Sequence, residues 1–143
     1  MGTISRLMAA LRIVGDELDP DEITRLLGKA PTTVQRRGHP MRKPSGQLGR
    51  IMPFSSWSLS ADDSLSGDLD AQIDQILDRT TQDLAVWRGV ASTWRMHLFC
   101  GLFLRDHNEG LSLSPTSLRA LGDREILLDL DIYGAGPIEG WEE

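Results

Sequence analysis

With 143 residues, 40% of them hydrophobic, and a single cysteine, the chain is sized for one domain with its own core and cannot close an internal disulfide. A formal net charge of −6 and a pI near 5.0 set it against a polyanionic partner, so nucleic acid is disfavoured. No stretch approaches the roughly 18 apolar residues of a membrane span. The apolar run Leu7 to Val14 is broken by Arg12 and lacks a small-residue cleavage site, so the sequence predicts a cytoplasmic protein.

In Leu7 to Val14, Leu7, Ala9, Leu11 and Ile13 alternate with Met8, Ala10, Arg12 and Val14, which predicts a first strand whose wetter face carries Arg12. Leu18-Asp19-Pro20 through Gly28 then reads as a short helix. Asp19 caps the free N–H groups, Pro20 takes the first helical position, and Gly28 supplies a left-handed stop. Lys29 to Gly49 is turn-rich, with Pro31, Gly38, Pro40, Pro44 and Gly46 excluding a continuous helix. Ile51 to Leu59 resumes an extended character. Pro53 sets the start of that strand at an edge or a bulge, while Trp57 and Leu59 face the core.

Beyond a polar linker, Asp62 to Asp68, the positions Leu69, Ile73, Ile76, Leu77, Thr80, Leu84, Trp87 and Ala91 form one apolar stripe. The stripe predicts a straight helix about six turns long, with Trp87 in the core, joining two halves across a sheet face. Trp94 to Leu104 is a third strand: Met96, Leu98, Cys100 and Leu102 lie on its dry side, and Arg95, His97, Phe99, Gly101 and Phe103 on its mixed side. Leu113-Ser114-Pro115 through Gly122 repeats the capped-helix pattern of Leu18 to Gly28. Glu125 to Tyr133 is a fourth strand, with Ile126, Leu128, Leu130 and Ile132 opposed to Leu127, Asp129, Asp131 and Tyr133. Gly134 to Glu143 reads as a flexible tail that Trp141 could anchor.

Each helix of the repeat follows one strand and precedes another. The chain therefore reads as a single α+β domain, core about 7–133, built from two strand–helix–strand halves by internal duplication. The expected sheet is four-stranded, mostly antiparallel or mixed, with helices on one face, ferredoxin-like in layering.

The ordered set Leu11-Arg12-Ile13-Val14-Gly15, Leu18-Asp19-Pro20, Trp57-Ser58-Leu59-Ser60, Cys100-Gly101-Leu102-Phe103, Leu111-Ser112-Leu113-Ser114-Pro115 and Leu128-Asp129-Leu130-Asp131-Ile132-Tyr133 resembles the bacterial domain of unknown function family 4279. The resemblance spans about Leu7 to Tyr133. It implies a small bacterial cytoplasmic domain and transfers no catalytic residue.

Two groups of residues are candidate binding sites. Lys29, Arg36, Arg37, Arg42, Lys43 and Arg50 fall in a segment with no acidic residue, giving it +6 against −12 for the rest of the chain. This segment, with His39, either packs on the protein's own acidic surface or docks a carboxylate- or phosphate-bearing partner, since arginine forks pair bidentately with both groups. It has no aromatic side chains between its charges to stack on bases. The second group is Arg95, His97, Asp129 and Asp131, which come together on the wet sheet face if their strands are neighbours, as a cross-strand charge pairing or as an acid–base site.

Cys100 is in phase with the dry face and reads as a buried small hydrophobe. Ser112 and Ser114 near His107 lack a nucleophile elbow, and no Walker loop or dinucleotide fingerprint is present. The sequence thus assigns no catalytic residue, metal or cofactor. It favours a noncatalytic module for an acidic protein partner, immunity-type proteins being one form, and is compatible with self-association. The alternative is a small enzyme or ligand-binding protein taking an anionic substrate at the wet sheet face.

Overall fold

A computed structural model describes residues 2–135. The central strand, β2 (Arg6–Gly15), follows a two-residue strand, β1 (Gly2–Thr3), and leads into α1 (Pro20–Leu27). Asp19 caps α1 by accepting from the Asp21 N–H at 3.0 Å, and Gly28 closes it at φ 74°. The turn-rich passage holds β3 (Thr33–Gln35) and a hairpin of β4 (Pro40–Arg42) and β5 (Leu48–Ile51) before β6 (Ser55–Ser60). Pro53 lies in the connection from β5 to β6, so it removes no ladder hydrogen bond. There follow α2 (Leu69–Asp78), α3 (Leu84–Thr93), β7 (Arg95–Phe103), β8 (Glu109–Gly110), α4 (Pro115–Asp123) and β9 (Leu127–Tyr133).

The principal sheet has the order β3-β6-β2-β7-β9, mixed, with β7 and β9 its one parallel pair. It has one strand more than the sequence predicts, because β3 adds to the outer edge of β6. Register sets Ile13 beside Trp57 and Met96, and Leu11 beside Leu59 and Leu98, so the apolar residues of three strands share one face. Ile23 and Leu27 of α1, Ile73 and Ile76 of α2, Trp87 and Val90 of α3 and Leu121 of α4 join them in one core. The α+β class with helices layered on one face holds.

The long connecting helix does not. It is two helices, broken between Asp78 and Leu84. Thr80 Oγ1 donates to the carbonyls of Ile76 and Leu77 at 3.2 and 3.0 Å, and Gln82 Nε2 donates to those of Leu77 and Thr80. Side chains thereby satisfy carbonyls at the end of α2. The Thr81 N–H leaves the helix altogether for the Leu27 carbonyl at the end of α1, 2.8 Å away. Asp83 then starts α3 by accepting from the Ala85 N–H at 3.0 Å.

The two halves are also not equivalent in the way the sequence predicts. The Ile51–Leu59 strand was to match the Glu125–Tyr133 strand, yet β6 is antiparallel to β2 whereas β9 is parallel to β7. The strand that runs parallel to β2 after α1 is β3, and β6 is inserted between them. Nor does Gly122 close α4. It lies inside the helix, and Glu125, at φ 58°, takes the left-handed turn while the Ile126 N–H bonds back to the Leu121 carbonyl at 3.0 Å. Ser114 caps α4 from the Ser117 N–H as expected. The Ser117 hydroxyl and the Ser114 N–H both bond to Asp70 of α2, at 2.6 and 3.0 Å, which holds the Asp70 carboxyl below its ordinary pKa.

The apolar face of β9 is only half covered. Ile126, just before the strand, is buried and Leu128 partly so, but Leu130 and Ile132 are 41% and 57% exposed, because β9 is the outer strand and α4 ends beside its start. Residues 136–143, including Trp141, lie outside the described residues.

Candidate functional site

The basic segment divides in two. Arg36 lies 3.3 Å from Asp21 and 3.8 Å from Asp19, and Arg37 lies 3.1 Å from Glu17. The Arg37 N–H is also held by Ser55 Oγ at 3.0 Å. Arg36 closes onto the cap and first turn of α1 and Arg37 onto the turn before it, in exposed pairs each worth about 0–1 kcal/mol. That is the self-packing alternative of the sequence, and among the described residues these two are the cations of the segment that form ion pairs.

The remaining charges, Arg42, Lys43 and Arg50, sit on the β4–β5 hairpin, a two-stranded sheet of its own. Among the described residues none of the three forms an ion pair. The Lys43 N–H bonds to the Gln47 carbonyl and the Gly46 N–H to the Lys43 carbonyl, at 2.9 and 2.8 Å, with Gly46 at φ 86°. His39 is exposed at the root, where its carbonyl accepts from the buried Met52 at 2.9 Å. Leu48 and Ile51 are 61% and 60% exposed on the hairpin. Lys29 is elsewhere, in a crevice with Asp62, Asp63 and Arg79.

On the helix-free face of the sheet, β7 is flanked by β2 and β9. The register opposes His97 to Arg12 on one side and Leu127 on the other, Arg95 to Val14, and Phe99 to Asp129. Arg95, His97 and Asp129 thus meet, as the sequence anticipated, in a cavity of about 360 Å³. The sequence reading missed its other walls, Arg12, Val14, Asp16, Phe54 and Phe99. The Arg12 guanidinium lies over the Phe99 ring at 5.5 Å. Alternation placed Arg12 on this face, but only strand order could bring it opposite His97.

Asp131 is not part of the cavity. It stands beside Gly101 and accepts from the Tyr133 hydroxyl at 2.7 Å, which raises the Tyr133 pKa, and Tyr133 stacks on Phe103 at 4.7 Å.

His97 is only 6% exposed, and its Nδ1 has no hydrogen-bond partner among the described residues. Burial first, then the charge of Arg12 and that of Arg95, lower its pKa from the ordinary 6.5, while Asp129 opposes them. A base whose folded pKa is depressed binds fewer protons folded than unfolded. Stability is therefore full above pH 6.5, falls as pH drops through it, and reaches its floor below the folded value. The expected result is a decline in melting temperature across roughly pH 7.5 to 5.5, above most carboxylate titrations, that His97→Gln flattens. Equal slopes in the two proteins would contradict the assignment.

Cys100 is on the opposite, dry face, where burial and the Asp129 charge push its thiol up to about 12 and leave it protonated. Ser114 serves as the α4 cap. Among the described residues no three His, Cys, Asp or Glu side chains gather to hold a metal, and no helix is long and apolar enough to cross a membrane.

These features define a two-layer α+β domain with one helix-clad and one open sheet face. The chain belongs to the family described as Domain of unknown function (DUF4279), which it matches over residues 5–135. No curated protein and no solved structure matches it.

Proposed function

We propose that this protein is a noncatalytic module that docks an acidic protein partner through the β4–β5 hairpin. The observation that carries this reading is the exposure of Leu48 and Ile51 among Arg42, Lys43 and Arg50, cations without an acid of their own among the described residues. A lone two-stranded hairpin is marginal in water, and apolar centres studded with arginine are what protein interfaces bury. The other two arginines of the segment serve the fold and drop out of the docking surface. A bacterial cytoplasmic setting fits the family resemblance and the single buried thiol, and an immunity-type inhibitor is one form such a module takes.

The test compares Arg42→Ser/Lys43→Ser/Arg50→Ser with Arg36→Ser/Arg37→Ser, each used to capture partners from native lysate and each melted. The hairpin variant is expected to melt like the parent but lose the acidic partner. About 1 M salt should mimic the loss, because screening then shortens to about 3 Å. The second variant is expected to keep the partner. Capture that is indifferent to the hairpin charges and to salt would reject the role.

A further inference from the structure

The cavity on the open sheet face is a second, separate site. Its base is three alternate residues of β7, and it extends over about 13 Å of strand from the Arg95 row to the Phe99 row. Arg12 and Arg95 supply two positive charges, and Asp16 and Asp129 two negative ones. Among the described residues neither arginine is in ion-pair contact with either aspartate, so both signs remain available to a ligand. His97, more than nine-tenths buried in the Arg12 row between the Arg95 and Phe99 rows, lines the cavity and has a ring nitrogen that nothing satisfies among those residues, where buried polar atoms normally find a partner. Val14, Phe54 and Phe99 provide the apolar wall. A volume of about 360 Å³ is at the small end of ligand pockets.

We infer that this cavity binds a small hydroxy- or aminocarboxylic acid, its carboxylate held between Arg12 and Arg95 beside the His97 ring and its hydroxyl or amine reaching Asp129. The balance of charge selects against dianions. With the imidazole neutral, two arginines and two aspartates cancel, and a phosphate gripped by the arginines would face Asp129 across Phe99. A carboxylate with a neighbouring donor meets both signs at once. Arginine also suits the planar carboxylate, which it can bond through two parallel N–H groups.

The charged groups that face His97 are Arg12 and Asp16 from β2 and its end, Arg95 from β7 and Asp129 from β9. A bound carboxylate adds a negative charge to that set and favours protonated imidazole. Binding therefore tightens as pH falls, about tenfold for each unit by which the ligand raises the His97 pKa.

The experiment follows the His97 ring signals of the labelled full-length protein by NMR during titration with lactate, L-serine, acetate and inorganic phosphate. Lactate or L-serine is expected to give a saturable shift at His97, tighter than acetate and phosphate, and to raise the pH midpoint of the ring. Arg95→Gln, at an exposed position, should weaken binding at least about tenfold while melting like the parent. Asp129→Asn should erase the advantage over acetate. No saturable shift with either acid, an affinity unchanged in Arg95→Gln, or phosphate binding more tightly than both acids would each overturn the assignment. None of these readouts depends on the hairpin, so failure here leaves the docking proposal to its own test.

Discussion

Replacing Gln72 with leucine is expected to cost about 2–4 kcal/mol, although leucine matches the apolar neighbours better than the amide does. Gln72 is fully buried on α2, and its side chain does the work of a missing strand. The ladder between β2 and β6 stops at Ala10 and Ser60, and beyond it Gln72 Oε1 accepts from the Ala9 N–H at 2.7 Å while Nε2 donates to the Leu7 carbonyl at 2.9 Å. The same nitrogen reaches the Leu65 carbonyl at 3.0 Å. Both carbonyls keep a second donor, from Gly67 and Asp68, but the Ala9 N–H would be left buried and unpaired.

A loss of that size corresponds to a fall of about 10 °C in melting temperature for a domain of this length. Gln72→Glu separates hydrogen bonding from shape. Its carboxylate would face two carbonyl oxygens, so its pKa would rise and the variant would regain stability as pH falls, opposite to the His97 trend. A leucine variant within a few degrees of the parent would show that Gln72 is a passenger.

Gln72 also marks where reading the sequence stops. Local signals were legible: the Asp19 and Ser114 caps, the Gly28 stop and the alternation of β2 and β7 depend on neighbours within a few positions. What eluded the sequence depends on partners far along the chain. A polar residue at position 72 lies beside the apolar stripe and reads as solvated until β2 is known to lack a strand there. The stripe from Leu69 to Ala91 has one period across both α2 and α3, so it cannot distinguish a straight helix from two helices resting on the same core. The break is written instead in Thr80, Thr81, Gln82 and Asp83, side chains that bond backbone groups in place of a helical turn. For the cavity, the β7 residues and Asp129 were legible as one wet face, but Arg12, Asp16 and Phe54 come from strand order and loop placement.

Trp57→Ala and Trp87→Ala are each expected to cost about 3–5 kcal/mol, a large share of the stability of a domain this size. Both rings are fully buried, and each indole also ties two elements together. Trp57 Nε1 donates to Thr24 Oγ1 at 3.1 Å, pinning α1 to β6. Trp87 Nε1 donates to the Thr81 carbonyl at 2.8 Å, fixing the break between α2 and α3, and its ring lies 5.8 Å from the buried Arg124 guanidinium, which reaches Gln82 at 3.1 Å. Alanine removes packing and hydrogen bond together, so Trp87→Phe is the discriminating variant. Keeping an aromatic ring while leaving the Thr81 carbonyl without its indole donor, it should lose about 1–3 kcal/mol, short of the alanine cost. Urea unfolding curves give the three values directly. If Trp87→Phe were as damaging as alanine, the hydrogen bond at the break and not the core volume would be the dominant role of the ring. If Trp57→Ala melted within a few degrees of the parent, the packing of α1 on β6 described above would be wrong.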